Sequence, residues 1–396
     1  LPSGPFFDEI HYLPAARELL TGFDYRNPEH PPLGKEIIAA GIWLLGDNPW
    51  GWRIFSALAG TLALFAGMRA LWHASHSRDA TLAYGVLLAT GFLLFVHAQI
   101  AMLDIFMAAF FLTALWLFAS ACRQRREPRA RLDLIASGIA LGLSMAAKWN
   151  AVPLAPLLGL FFLAMRIHAG TSRERFADGD ASPVRGVSLV EAALWLGVLP
   201  LAVYSATFWP AFQGENGPFA GMDLLGAHLH MLELQESVKE AHPYQSTWEQ
   251  WVLNARSIWY LYEPVEGVQR GIMLIGNPLT MLLGLPALAW CAWHGLVRRY
   301  WAALGVALVY AVSLGFWVIA SKPVQFYYHY ALPSMALLAA LALACDALWR
   351  NGSRKSALAP VVGSVLVFGW FYPIISGAPL VGPDSFAVWT WMESWR

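Results

Sequence analysis

The chain has 396 residues, of which 58% are hydrophobic and only 13% charged, with a mean hydropathy of +0.49 and no net charge. A water-soluble domain carries about a quarter charged residues, so a soluble fold is excluded and a polytopic membrane protein is expected. Zero net charge removes the basic footprint of a nucleic-acid partner, and Cys122, Cys291 and Cys345, all in or at the ends of apolar runs, imply no disulfide framework.

The chain opens on Leu1 in a polar stretch, and a first span upstream of it is expected. Residues 1–50 gather Asp8, Glu9, His11, Glu29, His30 and Lys35. Asp8 can cap a short helix that ends near Gly22, with Pro14 disturbing its middle. Residues 33–46 are apolar but too short to cross, and are expected to lie at the interface. At roughly 20 apolar residues per crossing, spans are expected at 51–72, 79–97, 99–121, 133–148, 150–167, 187–210, 272–295, 300–320, 325–349 and 357–377. The shortest, 133–148, is kept because the basic runs at 123–131 and 166–185 both read as cytoplasmic, which requires an even number of crossings between them. The same parity puts sixteen of the 26 Lys and Arg into five short cytoplasmic loops and eighteen of the 26 Asp and Glu on the other side.

This divides the chain into a first extracytoplasmic loop at 1–50, a transmembrane half at 51–210, a second extracytoplasmic loop at 211–271, and a second transmembrane half with an outer tail at 272–396. In the second loop Met222, Leu225, Leu229 and Leu232 recur at helical spacing, and Trp248, Trp251, Trp259, Tyr260 and Tyr262 suit a segment in the headgroup region.

The charges that survive in or beside the spans fall on one side. Asp104 lies about 7–8 Å in from the turn at 97–99; Arg53 opens the first span, Lys148 sits at an outer turn, and Tyr328-His329-Tyr330 opens span 325–349. A charge near hydrocarbon costs a few kcal/mol, so such clustering marks a polar cavity. Arg53, Lys148, His30 and Lys35 can neutralise a lipid phosphate whose tail stays in the bilayer, and a neighbouring carboxylate can take the proton of an incoming hydroxyl as phosphate leaves. Each residue also has a plainer role. Asp8 can be a cap, and Arg53 and Lys148 can anchor helix ends. His228, His230 and His242 match no metal-ligand spacing, and His97 and His294 suit satisfied helix positions. A divalent cation could bridge Asp8 or Glu9 to the phosphate, although no ligand spacing demands one. A transporter of an anionic solute is the reading from another class; it predicts a midplane site and inverted repeats, and neither is legible.

These residues resemble the protein O-mannosyltransferases and, more broadly, the C-type (GT-C) membrane glycosyltransferase fold. The resemblance is carried by Asp8-Glu9-x-His11-Tyr12, His30-Pro31-Pro32-Leu33-Gly34-Lys35, Trp52-Arg53-Ile54-Phe55-Ser56-Ala57-Leu58, Met102-Leu103-Asp104 and Ala147-Lys148-Trp149. Further along it is carried by His242-Pro243-Tyr244-Gln245-Ser246, Arg256-Ser257-Ile258-Trp259-Tyr260 and Tyr328-His329-Tyr330, so it runs in order through nearly the whole chain. It implies an all-α polytopic bundle with interfacial helices in both outer loops. It also implies an inverting transferase that moves a sugar, most naturally mannose, from a polyprenyl-phosphate carrier to Ser/Thr hydroxyls of proteins at the outer face of the bacterial cytoplasmic membrane. Transfer to a glycolipid or cell-envelope polysaccharide is the alternative. By resemblance Asp8 is the catalytic base, Glu9 arranges the site, Arg53 and Lys148 hold the lipid phosphate, and Asp104 supports the first loop. His242, Tyr244 and Ser246 belong to the wall against which acceptor or sugar packs, and Tyr328 and His329 line the same face. Two departures stand out: 211–271 is too short for the β-trefoil domain of eukaryotic members, which points to a bacterial type, and the acid near His30 is Glu29, one position later than the family's usual place.

Overall fold

The computed structural model describes residues 2–22, 26–169, 182–214, 217–237, 240–320 and 322–396. Among these, nine helices are long and apolar enough to cross a membrane. The first loop forms α1 (Glu9–Thr21) and α2 (Leu33–Leu45), which pack on each other. Pro14 is accommodated inside α1, and Gly22 ends it. Helix α3 (Pro49–Ser75) starts where the Asn48 side chain accepts from the amides of Trp50 and Gly51 at 2.9 and 3.2 Å. A Cβ on Gly41 would fall 2.2 Å from the Gly51 carbonyl, so this glycine lets α2 lie against the start of α3.

The stretch expected as one span at 79–97 is two pieces, α4 (Arg78–Ala89) and α5 (Leu93–His97). Phe92 takes φ 75, which no continuous helix contains. The freed groups find a partner in Asn277, whose Nδ2 donates to the Thr90 carbonyl at 3.0 Å and whose amide donates to the Gly91 carbonyl at 3.2 Å. A broken helix is tolerated at membrane depth where protein groups re-satisfy its backbone.

Helix α6 (Leu103–Ala121) lies between α3 and α7 (Glu127–Ala147). The short span expected at 133–148 is therefore full length: Pro128 sits in its first turn, and the basic residues Arg129 and Arg131 are helical. After the tight turn Trp149–Leu154 come α8 (Ala155–Ala169) and α9 (Leu189–Ala206), the latter with one wide turn at Leu194–Val198. Gly138 and Gly142, four apart on α7, let α9 approach, since a Cβ on Gly138 would meet the Trp195 carbonyl at 1.9 Å. Within the basic loop expected at 166–185, residues 170–181 lie outside the described residues.

The second loop carries α10 (Leu224–Ser237) and the short α11 (Trp248–Val252), and then departs from the expectation of a purely helical segment. Strands β1 (Ile258–Val265) and β2 (Val268–Leu274) form a hairpin, turned by Glu266 and Gly267 at φ 53 and 79, the backbone that a tight two-residue turn requires. The two-residue β3 (Pro379–Leu380) adds to β2. The aromatic residues Trp259, Tyr260 and Tyr262 belong to β1, with Trp259 and Tyr260 buried rather than set in a headgroup layer. The following span begins at Pro278, not 272. The second half is α12 (Pro278–Arg298), α13 (Trp301–Ile319), α14 (Ala331–Arg350) and α15 (Arg354–Ile375). Helix α14 is buried along most of its length and joins the halves: Tyr84 donates to the Met335 carbonyl at 3.2 Å, and Ser77 to Asp346 at 2.6 Å. Both loops meet at the same end of the bundle, where Gln235 Nε2 donates to the Glu29 carbonyl at 2.7 Å.

Candidate active site

Asp8 stands at the start of α1, but its side chain makes no cap hydrogen bond. Its carboxylate instead accepts weakly from the Tyr12 hydroxyl at 3.4 Å and lies in the fields of Lys148 and Asp104. Burial lifts the Asp8 carboxyl above the ordinary aspartate range; Asp104 adds to the rise, and Lys148 opposes it. Phe7, just before it, has φ 51, a backbone that bulky residues rarely adopt. Its ring is stacked on Tyr260 at 4.0 Å and meets the Tyr328 ring edge-on at 6.3 Å. The turn that presents Asp8 is thus held by aromatic rings from the second loop and from the start of α14. His11 is exposed.

Glu9 points the other way, into the bundle, and is fully buried. Its two oxygens accept from Arg53 Nε and one terminal nitrogen, each at 2.7 Å, from the Ala101 amide at 2.9 Å and from the Phe6 amide at 3.2 Å. Arg53 also donates to the carbonyls of Pro2 and Gly4 at 2.8 and 2.9 Å. This geometry gives Arg53 a loop and a carboxylate as partners, and makes Glu9 the counter-charge that keeps it there.

Lys148 ends α7 in extended backbone, and its Nζ lies 2.7 Å from Asp104 Oδ2, both side chains buried. The ammonium also sits 4.6 Å from the Tyr328 ring centre, over its face. Asp104 Oδ1 is buried with no hydrogen-bond partner among the described residues. Asp104 therefore positions Lys148, and neutralises only part of what surrounds it.

The structure adds Lys322, which the sequence reading missed. It lies in the short segment between α13 and the turn Tyr327–Tyr330, half-buried, with no hydrogen bond or ion pair from its ammonium to a described residue. Burial, with the Lys148 charge adding to it, pulls the Lys322 ammonium down to about 8, against the favourable fields of Asp8, Asp104 and Glu29. Its one sequence signal is position: a lysine seven residues before His329, in the connection between two spans.

His30 and Lys35 are not the free cations expected. Burial and the charges of Lys148, Lys322 and Lys35 hold the His30 imidazole well below its usual range, so it is neutral near pH 7. Lys35 is fully buried and donates to the carbonyls of Asn27 and His30 at 2.6 and 2.9 Å, which pins the His-Pro-Pro turn. Glu29 is half-buried with Oε2 unpaired among the described residues, and its charge reaches Lys322.

An aromatic wall runs from Lys148 to the second loop. Tyr328 stacks on Phe326 at 5.3 Å, and Phe326 meets the exposed His242 edge-on at 5.1 Å, with Tyr244 beside it at 5.9 Å. Ser246 is inside the wall, accepting from Trp251 Nε1 at 2.8 Å, while its amide donates to the Gln325 carbonyl at 2.8 Å. His329 is buried against Trp317, with ring centres 3.8 Å apart, and its Nδ1 accepts from the Phe326 amide at 3.0 Å. His97 is satisfied, its Nδ1 paired with the Leu93 carbonyl at 2.7 Å, and its Nε2 meets the Tyr260 hydroxyl at 3.1 Å.

A helix bundle of this order, with polar groups of two loops gathered at one end, has the C-type membrane glycosyltransferase fold. The S. cerevisiae protein O-mannosyltransferase Pmt1-Pmt2 complex bound to the sugar donor matches at a TM-score of 0.83 and 13% identity, covering 100% of this chain and 90% of that one. ArnT from Cupriavidus metallidurans bound to undecaprenyl phosphate matches at 0.59 and 16%, covering 95% and 66%. In sequence, residues 29–178 match the profile of dolichyl-phosphate-mannose-protein mannosyltransferase, and residues 222–395 that of the C-terminal four-TMM region of protein-O-mannosyltransferase. The chain belongs to the protein O-mannosyltransferase family. It is 28% identical to the polyprenol-phosphate-mannose–protein mannosyltransferase of Mycolicibacterium smegmatis over 99% of this chain and 88% of the relative, and 27% identical to that of Corynebacterium glutamicum over 99% and 88%.

Proposed function

We propose that the protein transfers mannose from a polyprenyl-phosphate carrier to a Ser or Thr hydroxyl of a protein, with Asp8 as the base. The observation that carries this reading is the carboxylate of Asp8, free of its cap and set among the cations Lys148 and Lys322. Lys322, with no carboxylate bound to it among the described residues, takes the donor phosphate; Lys148, already paired with Asp104, contributes its remaining field and the face of Tyr328. The acceptor oxygen attacks the anomeric carbon while the bond from that carbon to the phosphate oxygen breaks. The electron pair leaves on the phosphate, and the hydroxyl proton goes to Asp8. One displacement inverts the anomeric configuration. The raised affinity of Asp8 for a proton makes it a stronger base than an exposed aspartate.

The names of the bacterial relatives support polyprenol-phosphate-mannose as donor and protein as acceptor. The basic loops at the opposite end support an extracytoplasmic site on a bacterial inner membrane. A divalent cation that bridged to the phosphate would find its open carboxylate at Asp8, because both Glu9 oxygens already accept hydrogen bonds.

The test supplies radiolabelled polyprenyl-phospho-mannose and a Ser/Thr-rich peptide to the purified protein in nanodiscs, with Asp8→Asn in parallel. Label in the peptide that vanishes in the variant is the expected result. Label in co-purifying lipid or polysaccharide, with none in the peptide, overturns the protein acceptor.

A further inference from the structure

Away from the active-site end, α3, α6, α8, α13 and α14 do not close on one another and leave an apolar cavity of 470 Å³. Its walls are side chains such as Leu115, Phe118, Phe161 and Val306. On α13 the wall is opened by Gly305, where a Cβ would meet nothing within 4 Å. Along α6 the lining runs from Phe111 to Cys122, about 16 Å at the helical rise, which is close to half of a 30 Å hydrocarbon core. The cavity is one leaflet deep.

The end of its lining nearest the C-terminus of α6 is polar, with Arg123 as its fixed cation. His73, Arg123 and His168 line it, and His168 meets Trp301 edge-on at 5.3 Å across the rim between α8 and α13. The exposed Arg123 guanidinium donates only to the carbonyls of His73 and Ala74, at 3.0 and 3.4 Å, and no carboxylate among the described residues pairs with it. Arg125 and Arg126 follow in the same exposed turn. From Asp104 to Cys122 along α6 is about 27 Å, so this cation is out of reach of a phosphate held at the active site.

We propose that this groove seats an anionic phospholipid of the leaflet opposite the active site, with its phosphate at Arg123 and one acyl chain in the cavity. Charge and depth choose the occupant together. A guanidinium that no described carboxylate covers attracts an anionic headgroup, and a groove one leaflet deep takes an acyl chain that enters from that leaflet. The donor is a separate ligand, because its phosphate is held at the other end of the helices.

The full chain in nanodiscs of phosphatidylcholine and phosphatidylglycerol is extracted into mild detergent, and retained lipid is counted by native mass spectrometry. Phosphatidylglycerol is expected on the protein in preference to phosphatidylcholine. Arg123→Ala is expected to weaken its retention about fivefold, the worth of one cation near an anionic surface. Gly305→Phe, which fills the groove from within, is expected to remove the lipid while the KM for the polyprenyl donor stays unchanged. Equal retention of phosphatidylglycerol by the parent and Arg123→Ala overturns the proposal. So does a rise in donor KM in Gly305→Phe, which would assign the groove to the donor's tail.

Discussion

Lys148 and Asp104, 44 residues apart in sequence, meet at 2.7 Å inside the bundle, and the ammonium so fixed lies over the ring of Tyr328. Three spans are thereby tied at the point where the first loop delivers Asp8. A paired lysine keeps its place but offers less net charge to a ligand. The distinction matters because Lys322, close enough for its charge and that of Lys148 to act on each other, has no such partner among the described residues.

Asp8→Asn is expected to lower turnover by about two to four powers of ten, the range of a lost general base. Donor KM and thermal unfolding are expected to stay near the parent's, since the Asp8 side chain neither caps α1 nor forms an ion pair among the described residues. Initial rates at saturating donor, with a melting curve of each protein, check this; normal turnover removes Asp8 from the role.

Lys322 is expected to set the alkaline side of the pH profile. It must be charged to take the phosphate, so kcat/KM for the donor is expected to fall as pH rises through about 8. Asp8 must be ionised, so on the acid side the rate rises with pH through a pKa above that of an ordinary aspartate. Lys322→Arg keeps a charge at all working pH and is expected to abolish the alkaline fall. Lys322→Gln is expected to raise donor KM below pH 8. A profile with the same alkaline limb in Lys322→Arg assigns that limb to another group.

Arg53→Met leaves Glu9 buried without its counter-charge and is expected to destabilise the protein by about 3–5 kcal/mol. Pairing it with Glu9→Gln should restore part of the loss, as both charges are then gone. Thermal unfolding of the two single variants and the double variant checks the coupling. An additive double variant would mean that the two side chains do not depend on each other.

His30→Gln is expected to leave donor KM unchanged, because the imidazole is held neutral by burial and three lysines. Donor titrations of His30→Gln beside Lys322→Gln separate the two. A comparable rise in both would give His30 a charge that its surroundings oppose.

The spans and the site end were legible because charge is expensive in hydrocarbon: Asp104 and Lys148 stand out in an apolar sequence, and the arginine-rich turns fix parity. What a charge is paired with was not legible. Arg53 finds its carboxylate 44 residues upstream, and nothing local to either residue reports the contact. Lys322 sits before a proline in a short polar turn and looks like any loop lysine. The hairpin 258–274 was hidden because its aromatic residues also suit a membrane interface, and its tertiary partners, such as Phe7 on Tyr260, lie far away in sequence. The break at 90–92 was hidden for the same reason, since Asn277 is what makes it tolerable.

The burial of Glu9 also bears on how the protein is made. Its carboxylate is satisfied by Arg53 at the head of α3 and by the Ala101 amide just before α6, two places that enter the membrane at different moments of synthesis. Until α6 has been inserted, the Glu9 carboxylate lacks the Ala101 amide, and the loop that carries Asp8 has no complete seat. Glu9 thus ties the seating of the Asp8 loop to the insertion of both helices.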